Sequence, residues 1–277
     1  MRGAASLAYL LARTSDTLAD TPGARLDLRR DCLQRFGHAI ADSQAPPRWP
    51  IALINAITDP QERRLLEGVD GLFLWLGHLP ECEADLVREV LSIIIRGQES
   101  DLERFAETDP ERPAALADDA ALEDYTCCVA GCVGAFWTQL GFLTLKDRFS
   151  RAPANILLER GITYGKGLQL VNILRDLSVD LANGRCYLPV ADPHDTPRLL
   201  EARDHWLEQA WEWVGAGFDY ADTLVARRLR VATVLPAMLA RETLTRLRGS
   251  VPDLQTRIKV PRSRVYLALA RASLGLR

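Results

Sequence analysis

The stretch GKGLQLVNILRDLSVDLANGRCYLP, Gly165 to Pro189, decides how this chain is read. Leu168, Leu170, Val171, Ile173, Leu174 and Leu177 supply an apolar helical background, and Gln169, Asn172, Asp176 and Asp180 interrupt it. At roughly 100° per residue these four polar groups fall within about 80° of one another, a single stripe along one helix. Amides and carboxylates on the apolar side of a helix are costly unless something binds them. Two aspartates one turn apart, flanked by amides, present hard oxygen ligands of the kind Mg²⁺ takes. Asn183-Gly184 reads as the helix stop.

A second stripe lies near the N-terminus. In YLLARTSDTLAD, residues Arg13, Asp16 and Asp20 lie within about 60° of one another, with Leu7, Leu10, Leu11 and Leu18 as the apolar positions around them. One D-x-x-x-D pair is a weak signal, because solvated helix faces produce such pairs by chance. Two pairs, each beside an arginine, point instead to facing carboxylate clusters that hold metal ions against a polyanion, most simply a diphosphate.

Elsewhere the chain is mainly helical. With 277 residues, of which 48% are hydrophobic, it can bury a large core. Gly and Pro gather at short punctuation points, which favours a single domain over 1–277. Helices are expected from the start to Asp20, over Arg25 to Ala41, after the Asp59-Pro60-Gln61-Glu62 cap, and to about Leu79. More follow over Glu81 to Glu107, Asp118 to Lys146, Pro153 to Leu181, Arg198 to Ala216, Asp219 to Arg248 with a kink at Pro236, and from Pro261. No stretch alternates well enough to be read as a strand. The expectation is an all-α domain whose helices surround a central cavity.

A net charge of −3 and a pI near 5.9 argue against nucleic acid as an electrostatic partner. The six cysteines show no C-x-x-C spacing and suit a reducing cytosol, with buried free thiols as the expectation. His38, His78, His194 and His205 have no metal-ligand spacing. Neither a signal peptide nor an uncharged apolar window of membrane-spanning length is read from the chain, so no transmembrane span is expected. The expected location is cytoplasmic, with peripheral membrane association left open. Trp206, Trp211 and Trp213 read as core or interhelix packing rather than as a cation cage.

The Gly165–Pro189 segment resembles the signature of the squalene/phytoene synthase family, the head-to-head prenyl diphosphate synthases. The matching residues are Gln169, Asn172, Ile173, Arg175, Asp176, Asp180, Gly184, Arg185, Tyr187 and Pro189. Arg13, Asp16 and Asp20 resemble the family's first aspartate motif, and YTCCVAGCVG from Tyr125 to Gly134 is similar to its Y-x-x-x-V-A-G-x-V-G helix. The basic segment near Arg257 and Lys259 resembles the family's C-terminal region weakly.

The resemblance implies the isoprenoid synthase fold and a Mg²⁺-dependent condensation of two prenyl diphosphates through a cyclopropyl diphosphate. Farnesyl diphosphate is the favoured substrate, and NADPH use is left open. It assigns Asp16, Asp20, Asp176 and Asp180 to metal, and Arg13, Gln169, Asn172, Arg175, Arg185 and Tyr187 to substrate. Tyr125 is the matched group for proton transfer or cation stabilisation. The sequence departs from the family at Thr17 and Val179, where acids are frequent, and at Cys127 and Cys128, where bulkier groups are usual. The N-terminal helix of relatives is expected to be missing. The competing readings are a class I terpene cyclase, another prenyltransferase, or an inactive helical assembly factor. The Y-x-x-x-V-A-G helix speaks against the first two, and the four intact aspartates against the last.

Overall fold

The computed structural model describes residues 1–249 and 259–275. Its packing divides into two compact units, Met1–Ala106 and Glu107–Arg277. Arg257 lies outside the described residues, and Lys259 is exposed.

The first unit holds α1 (Arg2–Asp20), α2 (Leu26–Ala41), α3 (Ile51–Ala56), α4 (Pro60–Glu67), α5 (Val69–Gly77) and α6 (Glu81–Arg104). α1 packs against α2 and α6, and its Leu7, Leu11 and Leu18 are fully buried. From α2 and α6, Leu33, Phe36 and Leu91 are fully buried too. The Thr21-Pro22-Gly23 stop holds: Thr21 caps α1, its hydroxyl donating to the Thr17 carbonyl at 2.6 Å. At α4 the Asp59 side chain accepts from the Gln61 amide at 2.7 Å with Pro60 in the first turn, as the cap predicts. Glu62, expected as the reciprocal capping glutamate, engages Arg13 of α1 instead. Periodicity does not announce α3, because six residues are too few to show it.

The second unit is built on α9 (Ala154–Leu181), which packs against α8 (Cys132–Leu145), α10 (Thr196–Thr223) and α11 (Arg227–Gly249). Its other elements are α7 (Asp119–Thr126) and α12 (Arg262–Leu274), with β1 (Ala114–Ala115) and β2 (Arg185–Cys186). The expectation of no strands is corrected here: β1 and β2 form a two-residue parallel ladder, too short to leave an alternating pattern.

The helix expected over Asp118 to Lys146 is not uniform. Between α7 and α8 the segment Cys127–Gly131 is a π-helix, and Lys146–Arg148 is a 3₁₀ turn. The bulge lies where backbone meets backbone. A Cβ added at Gly165 would fall on the Ala130 carbonyl, and one at Gly134 on the Gly161 carbonyl. The small residues of the V-A-G-x-V-G run therefore serve close helix packing.

The expected lack of an apolar window is also corrected. Residues 125–145 carry no charge, and the run Asp119–Arg148 is long and apolar enough to cross a membrane by length and composition. The π-helix and α8 within this run pack against α9.

The break expected near Ala216 to Asp219 lies later, at Leu224. Gly215 and Gly217 stay helical, and Gly217 lets the Tyr164 ring approach to where a Cβ would stand 2.5 Å away. Leu224 is buried and extended, and its neighbours bond to the Phe149–Arg151 turn: the Val225 amide donates to Phe149 and the Arg151 amide to Thr223. α11 continues through Pro236.

Candidate functional site

In the first unit, α1 carries Arg13, Asp16 and Asp20 on the predicted face. Arg13 and Asp20 are exposed and Asp16 is half-buried. Arg13 pairs with Glu62 of α4. Asp16 accepts a hydrogen bond from Gln98 Nε2 of α6 at 2.6 Å. Burial first, then the nearby Asp20 charge, raises the Asp16 carboxyl from 3.8 to about 6; Arg13 and the Gln98 bond act in the opposite direction. A carboxylate held in that environment favours a cation beside it.

Sequence reading did not single out Gln98, which lies 82 residues from Asp16. Its Oε1 is buried without a hydrogen-bond partner. An orphaned amide oxygen beside a carboxylate is itself a hard donor atom. Its only sequence signal is a polar side chain on the half-buried face of α6. Thr17, at the position where relatives carry an acid, is buried and its hydroxyl donates to the Arg13 carbonyl at 3.0 Å. It faces the core, so an aspartate there would be a buried charge without a cation.

In the second unit, the C-terminal half of α9 carries the other stripe. Asn172 Nδ2 donates to Gln169 Oε1 at 3.4 Å. Arg175 forks onto Asp176, with Nε donating at 3.0 Å and Nη2 to the second carboxylate oxygen. That carboxylate is the main cause of the raised guanidinium pKa, with Asp180 adding a smaller push the same way. Arg175, about 100° off the stripe, is thus drawn onto it by its neighbour. Val179 is exposed.

The Asn183-Gly184 stop forms as expected. Gly184 has φ +74, and a Cβ on it would lie 2.7 Å from the Asp109 amide nitrogen and carbonyl oxygen. Only glycine takes this turn without strain. The turn delivers Arg185 into β2, paired with Ala114, and Tyr187 just beyond. Tyr187 is buried, and its ring stacks on Tyr125 of α7 with centroids 4.7 Å apart and planes tilted by 24°. The third motif and the end of the second, far apart in sequence, meet in this ring pair.

The second unit also holds an apolar cavity of about 340 Å³, lined by Ala130, Val133 and Trp137 of the π-helix and α8, and by Gly161, Gly165 and Leu168 of α9. Tyr164 and Tyr220 also border it, each with its hydroxyl engaged: Tyr164 donates to the Thr233 carbonyl at 2.9 Å, and Tyr220 pairs with Thr138 at 2.8 Å. Burial raises both phenols well above the usual range, so they stay neutral. On α9 most of the cavity residues share one face with the polar stripe: Gly161, Gly165, Leu168, Gln169, Asn172, Asp176 and Asp180 fall within about 120°, with Tyr164 about 40° further round. That face turns from apolar to acidic along its length.

The tryptophans pack between helices, as expected, but two also stack on the protein's own cations. Lys166 Nζ lies 4.1 Å from the Trp213 ring centre, and the Arg241 guanidinium 3.9 Å from that of Trp211. Cys132 and Cys186 are buried, and burial pushes their thiols up to about 12 and about 11, which keeps them inert.

Among the described residues, no three His, Cys, Asp or Glu side chains form a closed cage for a metal ion. Each unit offers a pair of aspartates. Mg²⁺ is commonly held by one or two carboxylates and completes its shell with water and phosphate oxygens, so open pairs fit it better than a cage does. The buried Gln98 oxygen adds to that fit in the first unit.

The squalene/phytoene synthase family model matches residues 1–264 of this chain. The bifunctional lycopene cyclase/phytoene synthase of Leptosphaeria maculans is 33% identical over 149 residues, 49% of this chain and 24% of that protein. The Blakeslea trispora protein of the same description is 31% identical over 184 residues, 65% of this chain and 27% of that protein. The chain spans about a quarter of the length of these curated relatives. Among solved structures, TcSQS in a ligand complex superposes with a TM-score of 0.78 at 19% identity, covering 98% of this chain and 78% of that one. A dehydrosqualene synthase bound to a ligand gives 0.61 at 21%, covering 98% and 86%. The likeness establishes the isoprenoid synthase fold expected from the sequence.

Proposed function

Since this chain belongs to the squalene/phytoene synthase family, a family of prenyltransferase type, we propose that it joins two prenyl diphosphates head to head with Mg²⁺, farnesyl diphosphate being the substrate. The observation that carries this reading is the single face of α9, apolar at the cavity and acidic at its C-terminal end. A ligand matching that profile has a hydrocarbon tail and an anionic head. From Leu168 to Asp176 the helix rises about 12 Å, so head and tail positions lie on one rigid element. A cavity of about 340 Å³ lies at the small end of ligand pockets, which favours the farnesyl over the geranylgeranyl tail.

Asp176 and Asp180 on α9, and Asp16 and Asp20 on α1, take the metal-binding roles. Held there, Mg²⁺ would supply positive charge that favours departure of a diphosphate leaving group. Arg175, Arg185 and Arg13 add cationic hydrogen-bond donors, and Gln169 and Asn172 donate neutral ones. The apolar cavity wall keeps water from the allylic cation while the alkene of the second substrate attacks C1. Loss of a proton then closes the cyclopropyl diphosphate; a second ionisation releases diphosphate, and the rearranged cation loses a proton, or takes hydride where NADPH is present, to give the product. Tyr125 is the group for that proton, and the stacked Tyr125–Tyr187 faces provide π density for a passing cation.

The test is purified protein with Mg²⁺ and farnesyl diphosphate, with and without NADPH, and mass analysis of the organic extract. A thirty-carbon product is expected, nearly abolished in Asp176→Asn at unchanged helical content. Recovery of farnesol or unreacted substrate alone, or full turnover by Asp176→Asn, would overturn the assignment.

A further inference from the structure

The apolar cavity of the second unit has a direction along α9. A Cβ on Gly165 would fall on the Ala130 carbonyl and one on Gly134 on the Gly161 carbonyl, so the π-helix and α8 run antiparallel to α9 in a fixed register. Of the cavity residues on α9, Leu168 stands nearest the Asp176–Asp180 pair and Gly161 farthest from it. Trp137 lies about one turn beyond Gly134 on α8, and a helical side chain leans toward the N-terminus of its own helix. Its indole thus comes back to the level of Gly161, at the far end of the cavity it lines.

The other large aromatic groups of the cavity are anchored, and Trp137 is not. Tyr164 donates to the Thr233 carbonyl, and the Ala237 amide bonds to its oxygen as well. Tyr220 pairs with Thr138. Trp137 Nε1 is buried with no hydrogen-bond partner. An unbonded buried donor costs stability, and phenylalanine or leucine would fill apolar space without that cost. What tryptophan adds over either is bulk.

On the basis of the condensation proposed above, we infer that Trp137 sets the accepted prenyl chain length, closing the far end of the cavity to a fourth isoprene unit. From Asp176 to Gly161 the helix rises about 22 Å. A bridge from carboxylate through metal to phosphate takes roughly 5 Å of this and leaves about 17 Å for the tail. Extended at about 1.25 Å per carbon–carbon bond, a farnesyl chain measures roughly 14 Å and a geranylgeranyl chain roughly 19 Å. The first fits short of the indole and the second runs into it. Alanine at this position would free a volume larger than that of one isoprene unit.

Steady-state kinetics with farnesyl and geranylgeranyl diphosphate test this on the wild type, Trp137→Phe, Trp137→Leu and Trp137→Ala. The wild type should favour farnesyl diphosphate in kcat/KM by at least about a hundredfold. That ratio should fall at least about tenfold in Trp137→Leu and further in Trp137→Ala, through a lower KM for the longer substrate, with Trp137→Phe closest to wild type. The organic extract of Trp137→Ala with geranylgeranyl diphosphate should contain a forty-carbon product. Thermal melts report folding; removing Trp137 leaves no hydrogen-bond partner behind, so Trp137→Leu should melt cooperatively and decides the matter if Trp137→Ala does not fold. Equal use of both substrates by the wild type, or an unchanged ratio in folded Trp137→Leu, would overturn the assignment. No turnover by any protein with either substrate would count against the condensation itself. Calorimetric binding of the farnesyl and geranylgeranyl thiodiphosphates, which resist ionisation, then still reads the tail preference, and an equal preference in wild type and Trp137→Leu would sink the role of Trp137.

Discussion

Replacing Asp16 with Asn should stop turnover and yet make the metal-free protein more stable at alkaline pH. Folding raises the Asp16 carboxyl from 3.8 to about 6, chiefly through burial and then through the Asp20 charge. Between those values the folded protein holds a proton that the unfolded chain has already released. Stability therefore falls as pH climbs from about 4 to about 6, and the whole penalty is present above that. A rise of roughly two, at about 1.4 kcal/mol for each, gives about 3 kcal/mol as an upper figure. The side chain is half-buried, and solvent screening brings the expectation to about 1–2 kcal/mol. Asn keeps the shape and can still accept from Gln98 Nε2, so the variant removes charge without removing that bond. Urea denaturation in EDTA at pH 8 should show the gain, a melting rise of roughly 3–6 °C. At pH 4 the gain should vanish, because both proteins are then neutral at this position. Adding Mg²⁺ at pH 8 should stabilise the wild type more than the variant. A variant no more stable than wild type at pH 8, or equally stabilised at pH 4, would refute the reasoning.

Gln98→Leu should leave the fold intact but weaken Mg²⁺ binding in the presence of inorganic diphosphate by about tenfold, since residues that orient a metal ligand typically matter on that scale. Isothermal titration calorimetry would measure it, and unchanged affinity would remove Gln98 from the site. Gly184→Ala should cost about 2 kcal/mol or more, because it combines a positive φ with a Cβ 2.7 Å from the Asp109 backbone. A loss under about 0.5 kcal/mol in urea melts would show that the turn relaxes freely.

The helices with the functional stripes were legible in the chain. α1 and α9 announce themselves by leucines at helical spacing and by stops at Thr21-Pro22-Gly23 and Asn183-Gly184, all of them local signals. The features that escaped are those whose cause lies far along the chain. The π-helix at Cys127–Gly131 lies where Gly165 meets Ala130, and α10 runs past two glycines because Gly217 admits the Tyr164 ring. β1 and β2 are two residues each, below the length at which alternation can be recognised. The uncharged run 125–145 was misjudged, because its apolar length is visible in the chain while its packing on α9 is not.

From the residues alone come the helical class, the two acidic stripes with their spacing and the family membership, because each depends on neighbours within a turn or two. The pairing of Gln98 with Asp16 and the stacking of Tyr187 on Tyr125 depend on side chains distant in sequence meeting. So does the apolar hollow lined by α9, whose other walls come from the π-helix, α8, α10 and α11. Periodicity tells which face of a helix is apolar, but only packing chooses what that face touches.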